Sequence, residues 1–252
     1  MLAALVVICL VVAVAQARRW VIVRSYVPGL LPVCRVATSL RVVALSFDDG
    51  PNPRFTRPIL TILHRRGARA TFFAVGSRVA AEPESARAEI SASMEVADHT
   101  WSHPHLGSID PTRLRTELER TDAALIAATG SRPHLFRPPF GEIDPDELVV
   151  VHDTGLRPIA WLLAVDRYLP TENRPEETVR LIAADVRPGD VLLAHDGGAD
   201  RSSTVELLGP LLVRLDTMGY RVVTVGELLG LGDAIRALPQ RWFWQSGFSC
   251  PN

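Results

Sequence analysis

The length, composition and charge of the chain are those of a globular protein. It has 252 residues, 47% of them hydrophobic and 22% charged, which excludes a disordered chain and suits one large α/β domain or two small ones. The formal net charge is −1 at pH 7, so no overall electrostatic field would attract nucleic acid. We therefore expect no nucleic-acid partner.

The chain begins with an apolar segment. Residues 1–17 carry no charged side chain, and their length fits the core of a signal peptide better than a full membrane span. Ala15-Gln16-Ala17 has the small-x-small form of a cleavage site. Arg18 and Arg19 follow the run, on the opposite side from ordinary export signals, so a retained membrane anchor and a buried helix are alternatives. We expect an extracytoplasmic protein, secreted or associated with the membrane or cell wall.

The rest of the chain divides into three parts. Residues 18–40 are expected to be a connector, residues 41–232 a single domain and residues 233–252 a C-terminal tail. Cys34 and Cys250 lie near the two ends of the mature chain. In an oxidising compartment they could form a disulfide bond, but two unrelated thiols are equally consistent with the sequence.

Short apolar runs alternate with helical periodicities between residues 41 and 232. The runs that predict strands are 42–47, 70–75, 134–136, 159–165, 190–194 and 221–225. Helices are predicted around Ile59 to Gly67, from Asp110 as the N-cap to Gly130, over 176–185, and from Leu207 to Gly219. This alternation predicts a mainly parallel sheet, in either an α/β barrel or an open doubly wound fold.

Polar residues stand at the ends of the predicted strands. They are Asp48, Asp49, Arg137, Asp166 and His195. Because the carboxyl ends of parallel strands meet on one face, where active sites form, these five side chains are expected to converge.

Two histidines and two adjacent carboxylates suggest a metal site. His99 and His103 are four residues apart, a spacing that brings both imidazoles to one ion if they lie on a single helical turn. With one aspartate they make a three-ligand set that leaves a position open for water. Asp48 and Asp49 are close enough to disfavour double ionisation unless a cation is present. Solvated turn residues and a structural histidine pair are the alternatives, and His105 is taken as a surface residue.

Two further groups fit catalytic work. Arg137 opens Arg137-Pro138-Pro139-Phe140-Gly141, whose prolines fix the backbone, and its guanidinium can orient a carboxylate by two parallel hydrogen bonds. His195 ends a buried strand and titrates in the range of a general acid near neutral pH. A surface arginine and a capping histidine are the alternatives.

Four ordered motifs resemble those of the polysaccharide deacetylases (NodB homology domain, carbohydrate esterase family 4). They are Ser46-Phe47-Asp48-Asp49-Gly50-Pro51, His99-Thr100-Trp101-Ser102-His103, the Arg137 segment and Leu193-Ala194-His195. Serine replaces the usual threonine in the first motif, and Phe140 stands where tyrosine is frequent. The resemblance covers roughly residues 41–229, and it implies a distorted (β/α) barrel with mainly parallel strands in a single domain.

The resemblance also implies a role for each site residue. Zn²⁺, or another divalent cation such as Co²⁺, would be held by Asp49, His99 and His103. Asp48 would be the general base, oriented by Arg137, and His195 would be the general acid, steered by Asp166. Substrate contacts are expected from Phe140, with its backbone N–H facing the oxyanion, and from Trp161 and Leu193.

One motif departs from the family pattern. The family usually has an aspartate followed by tryptophan, whereas this chain has Trp161 and then Asp166-Arg167-Tyr168. The implied activity is removal of N-acetyl groups from N-acetylglucosamine units of a polysaccharide, with peptidoglycan favoured over chitin-like oligomers. An esterase acting on O-acetyl groups of xylan, and a glycan-binding protein without the chemistry, are the alternatives.

Overall fold

Strands and helices alternate along the part of the chain that the structure describes. The computed structural model describes residues 30–168 and 175–236, together with two short strands at 238–239 and 248–249. The expected leader, residues 1–17, and Cys250 lie outside these residues. Among the described helices, none combines the length and the apolar character that a membrane crossing requires.

The elements are as follows. The strands are β1 (Val33–Ala37), β2 (Val42–Gly50), β3 (Thr71–Ala74), β4 (Glu95–Asp98), β5 (Leu135–Phe136), β6 (Arg157–Pro158), β7 (Leu163–Ala164), β8 (Val191–His195), β9 (Arg221–Val223), β10 (Asp233–Arg236), β11 (Leu238–Pro239) and β12 (Phe248–Ser249). The helices are α1 (Pro53–Arg65), α2 (Gly76–Ala81), α3 (Pro83–Ser91), α4 (Pro111–Thr129), α5 (Pro145–Asp153), α6 (Pro175–Asp185), α7 (Ser202–Thr217) and α8 (Val225–Leu229). Short 3₁₀ turns cover Leu106–Ser108, Pro139–Gly141 and Val165–Tyr168.

The main sheet is parallel and is built around β2. Its strands follow the order β6-β5-β4-β3-β2-β8-β7, and β9 also pairs with β2. β9 takes residues 42–44 of β2 and β3 takes residues 46–50, so two strands share one side of the same neighbour. The sheet ends at β6 and β7, which leaves a half-barrel surrounded by helices. This confirms the expected distorted (β/α) barrel with mainly parallel strands in a single domain.

The apolar run of β2 is buried on both faces. Val43, Leu45 and Phe47 belong to a cluster formed with α1, α6 and α7, whereas Val42 and Ala44 belong to a second cluster that includes β3 and β9 residues. Burial of each large apolar side chain contributes about 1.5–3 kcal/mol. The end of β2, which carries Asp48, is therefore fixed from both sides.

Helix α4 shows why local sequence signals succeed in this chain. Asp110 caps it by accepting a hydrogen bond from the backbone N–H of Arg113 at 2.8 Å, and Pro111 occupies the first helical position. Gly130 ends it in the left-handed region with φ 75°. Leu114 is among the buried residues on its inner face. The predicted bounds of this helix are confirmed.

The connector expected at residues 18–40 is in part a strand. β1 pairs antiparallel with β10, which begins the segment expected to be a tail. Val36 donates its N–H to Gly189 O at 2.8 Å, and Ala160 donates to Val33 O at 2.7 Å. Val33 and Val36 are fully buried. The sequence did not predict this strand because Pro32 and the mixed polarity around it resemble a linker.

The strand expected at 159–165 is wrong. β6 ends at Pro158, the chain then crosses the sheet opening, and Leu163–Ala164 (β7) is the part of the expected range that forms a strand of the main sheet. Ile159 donates its N–H to Phe136 O at 2.8 Å on one edge, and Leu162 donates to Val191 O at 2.9 Å on the other. The segment is apolar because it closes the gap between the two edges, and an apolar run alone does not distinguish this from a strand.

Candidate active site

The carboxyl ends of the central strands bring the predicted site residues together. Asp48 on β2 lies opposite His195 on β8 in the parallel register. Arg137 follows β5 and donates its backbone N–H to Asp98 O at the end of β4, at 3.0 Å. His99 comes directly after β4, and Asp166 lies in the turn after β7. The expected convergence at one edge of the sheet is confirmed.

Asp48 and Asp49 share the site because β2 is irregular at its end. Asp49 has φ 69°, and the pairing register with β3 shifts between Asp48 and Gly50. A regular strand would place the two neighbouring side chains on opposite faces. Gly197 and Gly198 accommodate the distortion, since a Cβ atom on either would overlap Asp49. The positive φ at Asp49 therefore turns its carboxylate towards the histidines.

Asp49, His99 and His103 form a cluster with the composition of a metal site. The Nε2 atom of His103 is 3.2 Å from Asp49 Oδ1, and that of His99 is 3.6 Å from the same oxygen. Their ligand atoms all lie within 4.8 Å of one another. His99 Nδ1 lies 2.7 Å from Arg137 O, a carbonyl that can only accept, so Nδ1 carries a proton and Nε2 is the nitrogen that faces Asp49.

The two histidines do not lie on a helical turn as the sequence analysis expected. Residues 99–105 form an irregular loop in which Thr100 and His103 have φ values of 64° and 55°. Asp98 Oδ1 accepts from the N–H of Thr100 at 2.7 Å, and Thr100 Oγ1 accepts from the N–H of His103 at 3.0 Å. These bonds fold the loop so that the imidazoles meet, with ring centroids 4.8 Å apart.

The protonation of the cluster suits a divalent cation. Burial, aided by the nearby His99, lowers the pKa of His103 to about 4, so its imidazole is neutral at pH 7. Burial acts to raise the pKa of Asp49, but the hydrogen bond and charge of His99 and the charges of His103 and His195 hold it well below its usual range. Two imidazole nitrogens and one carboxylate are the donor set of an open zinc site. The residues present therefore fit the metal that the family pattern implies.

Asp48 is held by Arg137. Arg137 is fully buried, and its Nη1 atom lies 2.6 Å from Asp48 Oδ1 and 2.8 Å from Ser46 Oγ. Its Nη2 atom donates to Ala160 O at 3.2 Å. The guanidinium thus grips one oxygen of Asp48, whereas the sequence analysis expected two parallel hydrogen bonds. Asp48 Oδ2 is left facing His99 Nε2 at 3.8 Å.

His195 and Asp166 form a hydrogen-bonded pair. His195 Nδ1 contacts Asp166 Oδ2, whose carboxylate also lies 3.6 Å from Arg201 Nη1. Burial acts to lower the pKa of His195, but the hydrogen bond to Asp166 and the charges of Asp48 and Asp166 outweigh it and raise the pKa. The pair therefore favours an imidazolium near neutral pH. Asp166 meets His195 in spite of the unusual spacing of its motif.

The three residues expected to contact substrate lie in different environments. Phe140 is 48% exposed, and its ring packs edge-on against His103 with centroids 4.6 Å apart. Trp161 lies beside Arg137, whose guanidinium carbon is 5.6 Å from its ring. Leu193 is buried within β8, two residues before His195. Of these three residues, Phe140 is the one at the surface.

Arg201 is a site residue that the sequence analysis missed. Its Nε atom donates to Gly197 O at 2.6 Å, and its guanidinium lies 3.6 Å from Asp49 Oδ2 as well as from Asp166. The Arg201 guanidinium therefore lies between the carboxylate of Asp49, a candidate metal ligand, and that of Asp166, the partner of His195. A single arginine in a loop carries no local signal, but the neighbouring Gly197-Gly198 pair marks a close backbone approach and could have indicated the loop.

A separate cavity of about 640 Å³ lies at the β7 edge, with Arg35, Leu162, Arg167 and Tyr168 in its lining. None of the metal-site, base or acid residues lines it. The candidate active site therefore lies at the carboxyl ends of the central strands and not in this cavity.

Comparison with known proteins agrees with this site. Residues 35–159 match the sequence profile of the polysaccharide deacetylases. A peptidoglycan-N-acetylglucosamine deacetylase of Bacillus cereus is 32% identical over 194 residues, which cover 77% of this chain and 91% of the relative. A chitooligosaccharide deacetylase of a Bradyrhizobium species is 32% identical over 200 residues, covering 75% and 90%.

Comparison of the fold with solved structures finds the same family. A crystal structure of a Bacillus anthracis protein described as a pseudoenzyme of carbohydrate esterase family 4 superposes with a TM-score of 0.74 at 26% identity, covering 82% of this chain and 71% of that one. Sequence similarity over most of a relative's length, together with the shared fold, establishes common descent. The chain belongs to the polysaccharide deacetylase family.

Proposed function

We propose that the protein removes N-acetyl groups from N-acetylglucosamine units of a polysaccharide, with peptidoglycan as the favoured substrate. The observation that carries this proposal is the Asp49, His99 and His103 cluster lying directly beside Asp48, which Arg137 holds by one oxygen. The relatives named as deacetylases of peptidoglycan and chitooligosaccharides support the same substrate class.

Zn²⁺, or another divalent cation such as Co²⁺, would be held by Asp49, His99 and His103. When bound, such an ion lowers the pKa of a coordinated water and polarises the carbonyl of the acetamide. The arginine that orients Asp48 also supplies, through its backbone carbonyl, the acceptor that fixes His99. Base and metal ligand are therefore positioned by the same buried residue.

Asp48 acts as the general base. Arg137 holds Oδ1, which leaves Oδ2 to take the proton of the attacking water. The water oxygen bonds to the carbonyl carbon, and the negative charge that develops on the carbonyl oxygen is met by the backbone N–H of Phe140. Phe140 has a φ of 58°, in the left-handed region, and its ring contacts the candidate metal ligand His103, which supports a place for this residue at the site.

His195 acts as the general acid. Its Nδ1 is engaged by Asp166, so the proton to be transferred sits on Nε2. This proton goes to the nitrogen of the leaving amine as the carbon–nitrogen bond breaks. The products are acetate and a free glucosamine unit in the glycan.

An extracytoplasmic location fits this activity. Peptidoglycan lies outside the cytoplasmic membrane, and the apolar leader at residues 1–17 is the sequence feature that supports export. Attachment to the membrane through the same segment stays a prediction.

The proposal is tested by measuring acetate release. The full chain is incubated with peptidoglycan, with chitin oligomers and with acetylated xylan, before and after treatment with a chelator and again after addition of Zn²⁺. We expect chelator-sensitive release from the first two substrates. Preference for acetylated xylan would show an O-acetyl esterase, and glycan binding without release would show a binding protein that lacks the chemistry.

The Asp48→Asn variant tests the assignment of the base. The amide keeps the shape of the side chain but cannot accept the proton, so we expect kcat to fall about 10²–10⁴-fold. Bound metal, measured by atomic spectroscopy, is expected to stay near wild type because Asp48 is not among the ligands. His99→Ala is the matched comparison and is expected to lose metal and activity together.

A further inference from the structure

Three side chains form an exposed patch beside the metal-ligand candidates. The His105 ring stacks on the Phe140 ring, with centroids 3.9 Å apart and planes inclined by 8°. Glu142 Oε2 lies 3.1 Å from His105 Nδ1. The Phe140 ring also makes a T-shaped contact with the His103 ring. The His105–Phe140–Glu142 patch is thus connected directly to the site.

The patch faces solvent. The side chains of His105 and Glu142 are 60% and 41% exposed, and Phe140 is 48% exposed although one ring face is covered by His105. Among the exposed large apolar residues that the structure describes, Phe140 is the aromatic one, and the others include helix positions such as Ile126 and Val213. The stack therefore presents a flat, partly apolar surface to solvent beside the candidate active site.

We propose that His105, stacked on Phe140 and held by Glu142, forms a second sugar-binding position, which takes the sugar adjoining the one that loses its acetyl group. This proposal rests on the proposed function and extends it from the reacting acetamide to the neighbouring unit of the glycan.

The chemistry of a pyranose ring matches the patch. One face of the sugar presents C–H groups, which pack against an exposed aromatic ring, and its hydroxyls donate hydrogen bonds to a carboxylate. The free face of His105 supplies the flat contact. The second oxygen of Glu142 supplies the acceptor, while Oε2 fixes the plane of the imidazole.

The test is steady-state deacetylation of the N-acetylglucosamine pentamer by the full-length chain, with Zn²⁺ affinity measured in parallel by chelator competition. We expect His105→Ala to raise KM about three- to tenfold, the worth of one aromatic contact, with kcat and Zn²⁺ affinity unchanged. His105→Phe keeps a ring and is expected to restore KM to within about threefold of wild type.

The controls separate a sugar contact from a structural role. His152→Ala removes another exposed histidine, paired with Asp153 on α5 at 3.8 Å, and is expected to leave KM unchanged. A fall in kcat or Zn²⁺ affinity in His105→Ala at unchanged KM would show that His105 only supports His103, and would overturn the proposal. An active wild type with unchanged KM in His105→Ala overturns this proposal alone. A wild type that releases no acetate from any glycan overturns the proposed function and this proposal with it.

Discussion

Single residues in unusual backbone conformations shape the candidate site. Asp49, Thr100, His103 and Phe140 all have φ between 55° and 69°, and Ser93 is the further such non-glycine residue in the described chain. Each costs of order 1–3 kcal/mol and persists where the surroundings enforce it. Here the enforcing contacts are buried, such as Asp98 on the N–H of Thr100. The rest of the fold therefore offsets the unfavourable backbone conformations that position the candidate metal ligands Asp49 and His103 and the Phe140 residue.

The pH dependence of activity tests the pairing of His195 with Asp166. A general acid must be protonated, so activity falls as pH rises through the pKa of His195, which Asp166 and Asp48 raise against the effect of burial. Asp166→Asn removes the carboxylate charge and should lower that pKa, which moves the alkaline limb of the kcat/KM profile down by about one pH unit or more. An alkaline limb that stays in place in this variant would assign it to a different group.

At the scale of elements, the loops after the strands carry the chemistry and the regular elements only place them. The motifs named residues that the structure brings together at the strand ends, and the capping residues predicted α4. The sequence did not predict the loop conformation around His99 and His103, because its hydrogen bonds come from Asp98 and Thr100 side chains. It also missed β4, whose polar Glu95 and Asp98 interrupt the apolar pattern of a buried strand.

The loop after β8 requires glycine at positions 197 and 198 because it lies against Asp49, and a substitution can test this requirement. Gly198 has φ +79°, and a Cβ there would overlap Asp49 Oδ2, so Gly198→Ala should displace the carboxylate. We expect Zn²⁺ affinity to fall at least about tenfold, the loss typical of a disturbed ligand shell, with the fold retained. Gly107→Ala is the matched control, since a Cβ at Gly107 meets no atom within 4 Å. Affinity unchanged in Gly198→Ala, measured by chelator competition, would refute this role.

At the scale of the whole molecule, the ends of the described chain complete the half-barrel. β1 forms backbone hydrogen bonds with residues on both sides of the sheet opening. β10, near the C-terminal end of the described residues, pairs with β1. Local patterns predicted β2, β3 and β8 because these strands are mostly apolar along their length. They could not predict β1 or the crossing at 159–162, because these segments are defined by partners far away in sequence. β1 therefore packs with the rest of the fold although it precedes residue 41.

Cys34 offers a test of how far the chain ends stabilise the whole fold. It is fully buried within β1 and takes part in a disulfide bond. Cys250, which the sequence allows as a partner without requiring it, lies outside the described residues. We expect Cys34→Ala to lower the free energy of unfolding by about 2–4 kcal/mol, because the unfolded chain is no longer cross-linked, and the small side chain leaves no buried hydroxyl. Denaturant unfolding with and without reductant measures this change in free energy.

Reductant should destabilise the wild type by a similar amount and leave Cys34→Ala unchanged. We expect kcat to be retained in native conditions because Cys34 is not among the site residues. A wild type that reductant does not destabilise would show that β1 is held by its backbone pairing and burial alone.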